Sequence, residues 1–213
     1  MIREHFRPLP LTRLADGARL YQPTQRLPER VTLESPALDV MTDLQQFPAR
    51  TIEPEASIEA ANAKMIRYGV RLLFVVDPLE RLLGLITATD ILGEKVLQAM
   101  QARGVSRQEV LVQEIMTPRE HLEAIDIEDL RGPKVGHVLA TLKQAGRQHA
   151  IVVEVRKVTF QERLAMPSTP PRDFVQTVRG LFSTTQIARQ LGLQLQNLDL
   201  ATTFAEVEAL FTH

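Results

Sequence analysis

Apolar and polar positions along this chain switch between a helical and an extended period, and they do so twice. After Ser57, the apolar residues Ile58, Ala61, Met65 and Ile66 recur at the three- and four-residue spacing of one helix face. Ser57 suits the N-cap, where a hydroxyl accepts from an otherwise orphaned backbone N–H. Gly69 follows where a helix ends on a left-handed residue. Leu72 to Val76 is then an unbroken apolar run of strand length, which predicts a strand buried on both faces. Asp77-Pro78 closes that run, Leu82 to Thr87 predicts a second strand, and Ile91, Leu92, Val96 and Leu97 predict a helix face extending to Met100.

The same order returns downstream. Val135, Val138, Leu139 and Leu142 form a helix face, Gly146 ends it, and Ala150 to Val153 is the strand. Arg179 to Ser183 predicts the next strand, and Ile187, Ala188 and Leu191 lead into a helix. A short leading strand is expected near Thr51 and near Ala124. Three landmarks repeat at the level of residues. Val40-Met41-Thr42 returns as Ile115-Met116-Thr117, Gly69 to Asp77 as Gly146 to Glu154, and Gly84-Leu85-Ile86-Thr87 as Gly180-Leu181-Phe182-Ser183. Their offsets are 75, 77 and 96 residues. The jump places an insertion near 155–178, where Met166-Pro167-Ser168-Thr169-Pro170-Pro171 is loop chemistry. Arg156 to Leu164, just before it, fits either an extended strand or a short helix.

The boundaries follow. Residues 1–35 form an N-terminal arm broken by Pro8, Pro10, Pro23 and Pro28, lying over a surface or remaining partly disordered. Units of helix, strand, strand and helix occupy 36–105 and 106–195. Ser106-x-x-Glu109 is a capping box that starts a short linking helix. Thr203-x-x-Glu206 is another, beginning a C-terminal helix within 196–213 that buries Phe204, Val207 and Leu210. The expected class is α+β, with one plan used twice.

Composition narrows the function. The 213 residues carry a formal net charge of −1, without the basic excess of a nucleic-acid binder. Aromatics are 5% and form no cluster with basic residues, so nucleic acid is not an expected partner. Cysteine is absent, which removes disulfides, thiolate nucleophiles and Cys-bound zinc. No stretch approaches the ~20 apolar residues of a membrane span, and no apolar run follows Met1 to Pro8, so no membrane association is expected and a cytoplasmic location is the default. His5, His121, His137, His149 and His213 are dispersed without metal-ligand spacing, and no nucleophile-elbow, Walker or dinucleotide-binding motif occurs. No catalytic residue and no metal site is expected. Asp126-Ile127-Glu128-Asp129 clusters carboxylates, but a charged loop after a strand explains it better than a magnesium site.

Taken with their order, the landmarks resemble the CBS domain, found as tandem pairs called Bateman modules. Val-Met-Thr, then Gly69 to Asp77, then Gly84-Leu85-Ile86-Thr87-Ala88-Thr89-Asp90-Ile91-Leu92 read like a full family repeat. The match covers about 36–100 and, with the insertion, about 110–195. The resemblance implies an α+β fold of two pseudo-symmetric β-α-β-β-α units packed sheet to sheet, clefts between them that bind AMP, ADP, ATP or S-adenosylmethionine, and a homodimer. No cofactor is required; the adenosine nucleotide is a regulatory ligand, with magnesium allowed as its companion. The resulting reading is a stand-alone regulatory module signalling to a protein partner. The alternative is a constitutive dimerisation or interaction scaffold with degenerate sites.

Candidate ligand residues follow from the same resemblance. Thr87 and Asp90 sit where a strand runs into a helix; a carboxylate there suits the vicinal hydroxyls of a ribose, and a hydroxyl a phosphate. Both residue types also serve as plain helix caps. In the second copy Ser183 keeps the hydroxyl but Gln186 replaces the carboxylate, so one competent site per chain is expected. Arg71 falls where relatives carry a phosphate-facing basic residue; its counterpart is Gln148, followed by His149, a further candidate contact. Phe47–Ile52 and Pro118–Ala124 correspond to adenine-contacting strands.

Overall fold

The computed structural model describes residues 28–159 and 173–193. Its strands are β1 (Thr42–Asp43), β2 (Thr51–Ile52), β3 (Leu72–Val76), β4 (Leu82–Thr87), β5 (Thr117–Pro118), β6 (Ala124–Asp126), β7 (His149–Lys157) and β8 (Phe174–Ser183). Its helices are α1 (Ile58–Tyr68), α2 (Ala88–Leu92), α3 (Glu94–Arg103), α4 (Val112–Ile115), α5 (Val135–Gln144) and α6 (Thr184–Gln190). They build two four-stranded sheets, ordered β2-β3-β4-β5 and β1-β8-β7-β6. This is the expected α+β class.

The two units share register in detail. β2 and β6 pair parallel with β3 and β7, and β3–β4 and β7–β8 are antiparallel. Leu72 faces Thr87 as His149 faces Ser183, and Val75 faces Gly84 as Val152 faces Gly180. Each hairpin then carries a bulge at the same place, after Val75 and after Val152.

The leading strands are exchanged. β1, which precedes the first unit, pairs with β8 of the second, and β5, which precedes the second, pairs with β4 of the first. The repeated Met-Thr and Gly landmarks meet at these joints. A Cβ on Gly84 would lie 2.4 Å from the Thr117 carbonyl oxygen, and one on Gly180 would lie 2.6 Å from the Met41 sulfur. At Gly84, where the obstacle is backbone, only a residue without a side chain lets the exchanged strand approach so closely.

The apolar runs are continuous because both sheet faces are covered. Leu73 and Val75 pack with Ile58, Ala61, Met65, Ile86 and Ile91 on the helix side of the first unit. Val152 and Phe182 pack with Val135, Val138, Leu139, Leu142 and Ile187 in the second. Between the sheets Leu72 and Phe74 cluster with Ile151 and Val153. Each such side chain, fully buried, contributes about 1.5–3 kcal/mol.

Several expectations need correction. The helix predicted from Ile91 to Met100 is broken at Gly93, which is extended at φ −91° and ψ −176°. A Cβ there would approach the Thr89 carbonyl oxygen to 2.9 Å, so the chain turns and starts again. Ile66, Leu92 and Leu97 are 73%, 81% and 59% exposed and do not belong to the buried faces. Of the stretch Arg156 to Leu164, Arg156 and Lys157 extend β7, which pairs with β8 from Phe174 onward, and residues 160–164 lie outside the described residues. Of the N-terminal arm, the described part lies on the second unit, where the Val31 N–H donates to the Gln190 carbonyl at 2.9 Å and Val31 and Leu33 cover the core. The proposed C-terminal helix lies outside the described residues.

Candidate functional site

The exchange creates two clefts at the inter-unit boundary, and each draws its walls from both units. The smaller, about 330 Å³, is lined by Thr87 and Asp90 from the β4–α2 turn and by Glu123, Arg147, Gln148 and His149 from the second unit. The larger, about 590 Å³, is lined by Ser183, Gln186 and Arg189 from the β8–α6 region and by Arg50, Tyr68 and Arg71 from the first unit. The six predicted site residues therefore divide. Thr87 and Asp90 face the smaller cleft. Arg71, Ser183 and Gln186 face the larger one. His149 lines both.

At the smaller cleft, Thr87 caps α2. Its hydroxyl accepts from the Asp90 N–H at 3.2 Å, while the Asp90 carboxylate accepts from the Thr87 N–H at 2.9 Å and from the Thr87 hydroxyl at 2.6 Å. The other carboxylate oxygen accepts from Lys95 Nζ at 2.7 Å, and the same ammonium donates to the Ile115 carbonyl at 3.2 Å. The cap and Lys95 use three of the about four acceptor positions a carboxylate offers, so the cap does not by itself exclude the ligand reading. On the opposite wall Arg147 pairs with Glu123 at 3.0 Å, in an exposed setting where such pairs contribute little.

At the larger cleft the second unit makes the corresponding tie without charge. The Gln186 amide oxygen accepts from the Thr42 hydroxyl at 3.1 Å, and its nitrogen donates to the Val40 carbonyl at 3.5 Å. Ser183 makes no side-chain cap to α6. Arg50 stacks over Tyr68, its guanidinium carbon 4.2 Å from the ring centroid. The wall behind Thr42 is held by Asp43, which pairs with Arg179 and accepts from the Gln45 N–H at 2.8 Å. Arg179 sits at the bulge of β8, which turns its side chain toward β1.

His149 stands where the first unit has Leu72. Burial, with the charge of Arg71 beside it, pushes its pKa down to about 4, so the imidazole is neutral at pH 7. The sequence pattern did not expose Arg50, Arg189, Tyr68, Lys95 or Arg147. Lys95 lies five residues beyond Asp90, off any capping motif, and the others join clefts that the linear repeat does not reveal. Among the described residues no group of three or more His, Asp or Glu is arranged to hold a metal ion. Among the same residues no helix is long and apolar enough to cross a membrane.

No curated protein matches the chain in sequence. Solved structures similar to it include an uncharacterised conserved protein from Pyrococcus horikoshii, 16% identical, covering 78% of this chain and 99% of that one at a TM-score of 0.49. Another is CBSX2 of Arabidopsis thaliana in complex with AMP, 16% identical, covering 73% and 94% at 0.46. A third is the CBS domain pair of protein MJ0100 in complex with 5′-methylthioadenosine and S-adenosyl-L-methionine, 19% identical, covering 75% and 97% at 0.45. The family model named CBS domain matches residues 37–97, the segment that carries β1 to β4, α1, α2 and the Thr87–Asp90 turn. Over that segment, 61 of its 213 residues, the chain is similar to the CBS domain.

Proposed function

We propose that this chain is a non-catalytic regulatory module built from a pair of CBS domains, 36–105 and 106–195, that binds an adenosine-type ligand in the smaller cleft. The observation that carries this reading is the Asp90 carboxylate, set beside Thr87 on a cleft whose far wall belongs to the other unit. Asp90 accepts the ribose hydroxyls, and Thr87 contacts the ribose or phosphate. A volume of about 330 Å³ is at the lower end of small-ligand pockets. Because its two walls come from different units, a bound ligand favours one inter-unit angle by its differential affinity. A protein partner reads that angle, and the module works as a cytoplasmic homodimer.

A constitutive scaffold is the second reading. It is favoured by the self-satisfied turns, in which Lys95 engages Asp90 and Val40 and Thr42 engage Gln186. Thermal shift separates the two. AMP, ADP, ATP and S-adenosylmethionine are tested, each with and without magnesium, on the wild-type chain and on Asp90→Ala. A ligand at about 100 times its Kd adds roughly 2.7 kcal/mol, which raises the midpoint by about 5–10 °C in a chain of this size. A rise lost in the variant supports the sensor. No rise with any ligand refutes it and leaves the scaffold.

A further inference from the structure

Both exchanged strands are held at the same carbonyl, two residues ahead of their threonine, but by different chemistry. In the second unit the Gln186 amide donates directly to the Val40 carbonyl. In the first the carbonyl is that of Ile115, and the turn reaches it through Lys95, whose ammonium donates to it at 3.2 Å and to Asp90 Oδ1 at 2.7 Å. The tie at β5 therefore runs through the carboxylate assigned to the ribose.

The joints themselves are unequal. β1 is locked to β8 by charge: Arg179, in the bulge of β8, pairs with Asp43 on β1 and lies 3.4 Å from Glu154 on β7. The equivalent bulge position of β4 holds Leu83, and the residue facing Gly84 is Pro118, which offers neither a charge nor an N–H. The chain is anchored again just upstream at α4, where the Val112 and Gln113 N–H groups donate to the Ala56 and Pro54 carbonyls. Between that anchor and the short β4–β5 ladder, Lys95 is the side chain that bonds the backbone at Ile115.

Asp90 also has too few free acceptor positions for a diol. Its Oδ2 takes the Thr87 N–H at 2.9 Å and the Thr87 hydroxyl at 2.6 Å, and its Oδ1 takes Lys95. Of the about four positions a carboxylate offers, one is left, and two vicinal hydroxyls need two. The Thr87 bonds belong to the cap that starts α2. The Lys95 side chain is 47% exposed and meets water on release, so Lys95 is the group that yields.

We propose that Lys95 is a latch between ligand and linker. A ribose diol at Asp90 displaces its ammonium, the Ile115 carbonyl loses its tie, and β5 loosens from β4 while β1 stays fixed to β8. The latch rests on the reading of the smaller cleft as the ligand site, and it makes the segment joining the two units the element that reports occupancy. Linkage demands the converse: a closed latch weakens binding, and removing Lys95 strengthens it.

Amide hydrogen exchange on the full chain tests this, with adenosine as the probe and 2′,3′-dideoxyadenosine as the control that lacks the diol. Saturating adenosine should speed exchange at Met116 and Thr117 by about fivefold or more and leave Thr42 and Asp43 within about twofold, and the control should change neither pair. Acetylation of Lys95 by acetic anhydride should quicken several-fold with adenosine, because an ammonium freed from a carboxylate loses its proton more readily. In Lys95→Met the two β5 amides should exchange at the fast rate without ligand, and adenosine should add nothing; Lys95→Ala repeats the test where that variant fails to fold. Adenosine that binds the parent without changing Met116, Thr117 or Lys95, or that produces the full change in Lys95→Met, overturns the latch and leaves the ligand reading standing. Adenosine that binds neither the parent nor Lys95→Met removes the ligand reading and the latch together.

Discussion

Placing an alanine at each of the two pseudo-equivalent glycines should have unequal costs, although sequence treats them alike. Gly84 and Gly180 both sit opposite an exchanged strand, facing Pro118 and Asp43. A Cβ at position 84 lands 2.4 Å from the Thr117 carbonyl oxygen, far inside the 3.0 Å that real contacts respect. That oxygen is backbone, and relieving the clash means pushing β5 off β4. Overpacking of this kind costs about 1–3 kcal/mol, and the lost ladder bonds place it at the upper end. At position 180 the obstacle is the Met41 side chain, at 2.6 Å from its sulfur and 2.8 Å from its Cγ. A thioether can rotate away at about 1 kcal/mol. Alanine also lowers the conformational entropy of the unfolded chain, returning about 0.5–1 kcal/mol at either site. The net loss is about 2–3 kcal/mol for Gly84→Ala and below about 1 kcal/mol for Gly180→Ala. At about 2–4 °C per kcal/mol for a chain of this length, thermal unfolding should drop by about 4–12 °C in the first variant and by less than about 4 °C in the second. Equal midpoints, or a costlier Gly180→Ala, would refute the claim that a backbone contact seals the first joint and a side-chain contact the second.

Three further outcomes are expected. His149 has a folded pKa near 4 against 6.5 for the free group, so the unfolded chain binds more protons between those values and stability falls as pH drops through the window. Urea unfolding should lose about 1–2 kcal/mol between pH 7.5 and pH 5, and His149→Leu, which installs the residue found at position 72, should remove that component; an unchanged pH slope would show the imidazole is not held neutral. Arg179→Leu strands the buried Asp43 carboxylate without its cation and should cost about 3 kcal/mol in denaturant unfolding. The Asp43→Asn, Arg179→Leu double variant should recover most of that loss, and additivity of the two changes would argue against direct pairing. Lys95→Met frees one Asp90 oxygen and should raise affinity for adenosine several-fold in titration at the smaller cleft, whereas a fall would make Lys95 a ligand contact itself.

What could be read from the sequence follows from what is buried twice. β3 and β7 stand between a helix layer and the opposite sheet, so both faces select apolar residues and the runs at Leu72–Val76 and Ala150–Val153 stand out. The α1 and α5 faces were legible for the same reason, apart from Ile66. The exchange of β1 and β5 was not, because a two-residue strand has no periodicity to display. Its only trace was the recurrence of Met-Thr and of Gly in the same order in both repeats, which does not say which strand pairs with which. That omission hid the composition of the clefts. Arg71 and Thr87 belong to one repeat, yet the exchanged geometry sends their side chains to different clefts. The capping function of Thr87-x-x-Asp90 was readable as local chemistry, while Lys95, which completes the carboxylate's bonding, required the fold.

The comparison of the two turns bears on why Asp90 is charged. Both units need a tie from the strand–helix turn to the segment entering the exchanged strand. The second unit makes it with a neutral amide, Gln186 to the Val40 carbonyl. The first makes it through a longer route, Asp90 to Lys95 to the Ile115 carbonyl, at the equivalent position. Gln186 shows that an amide at this place is compatible with the tie, so a carboxylate is more than the fold requires. It brings a charge with a side-chain exposure of 14%, together with the lysine that offsets it. A cap bond contributes about 1 kcal/mol with either residue, which gives the cap itself little reason to prefer Asp over Asn. On the proposed reading the surplus serves binding. Asp90→Asn should fold with a midpoint within about 3 °C of the parent yet lose the affinity for adenosine, and that separation of stability from binding is what a purely structural cap could not produce.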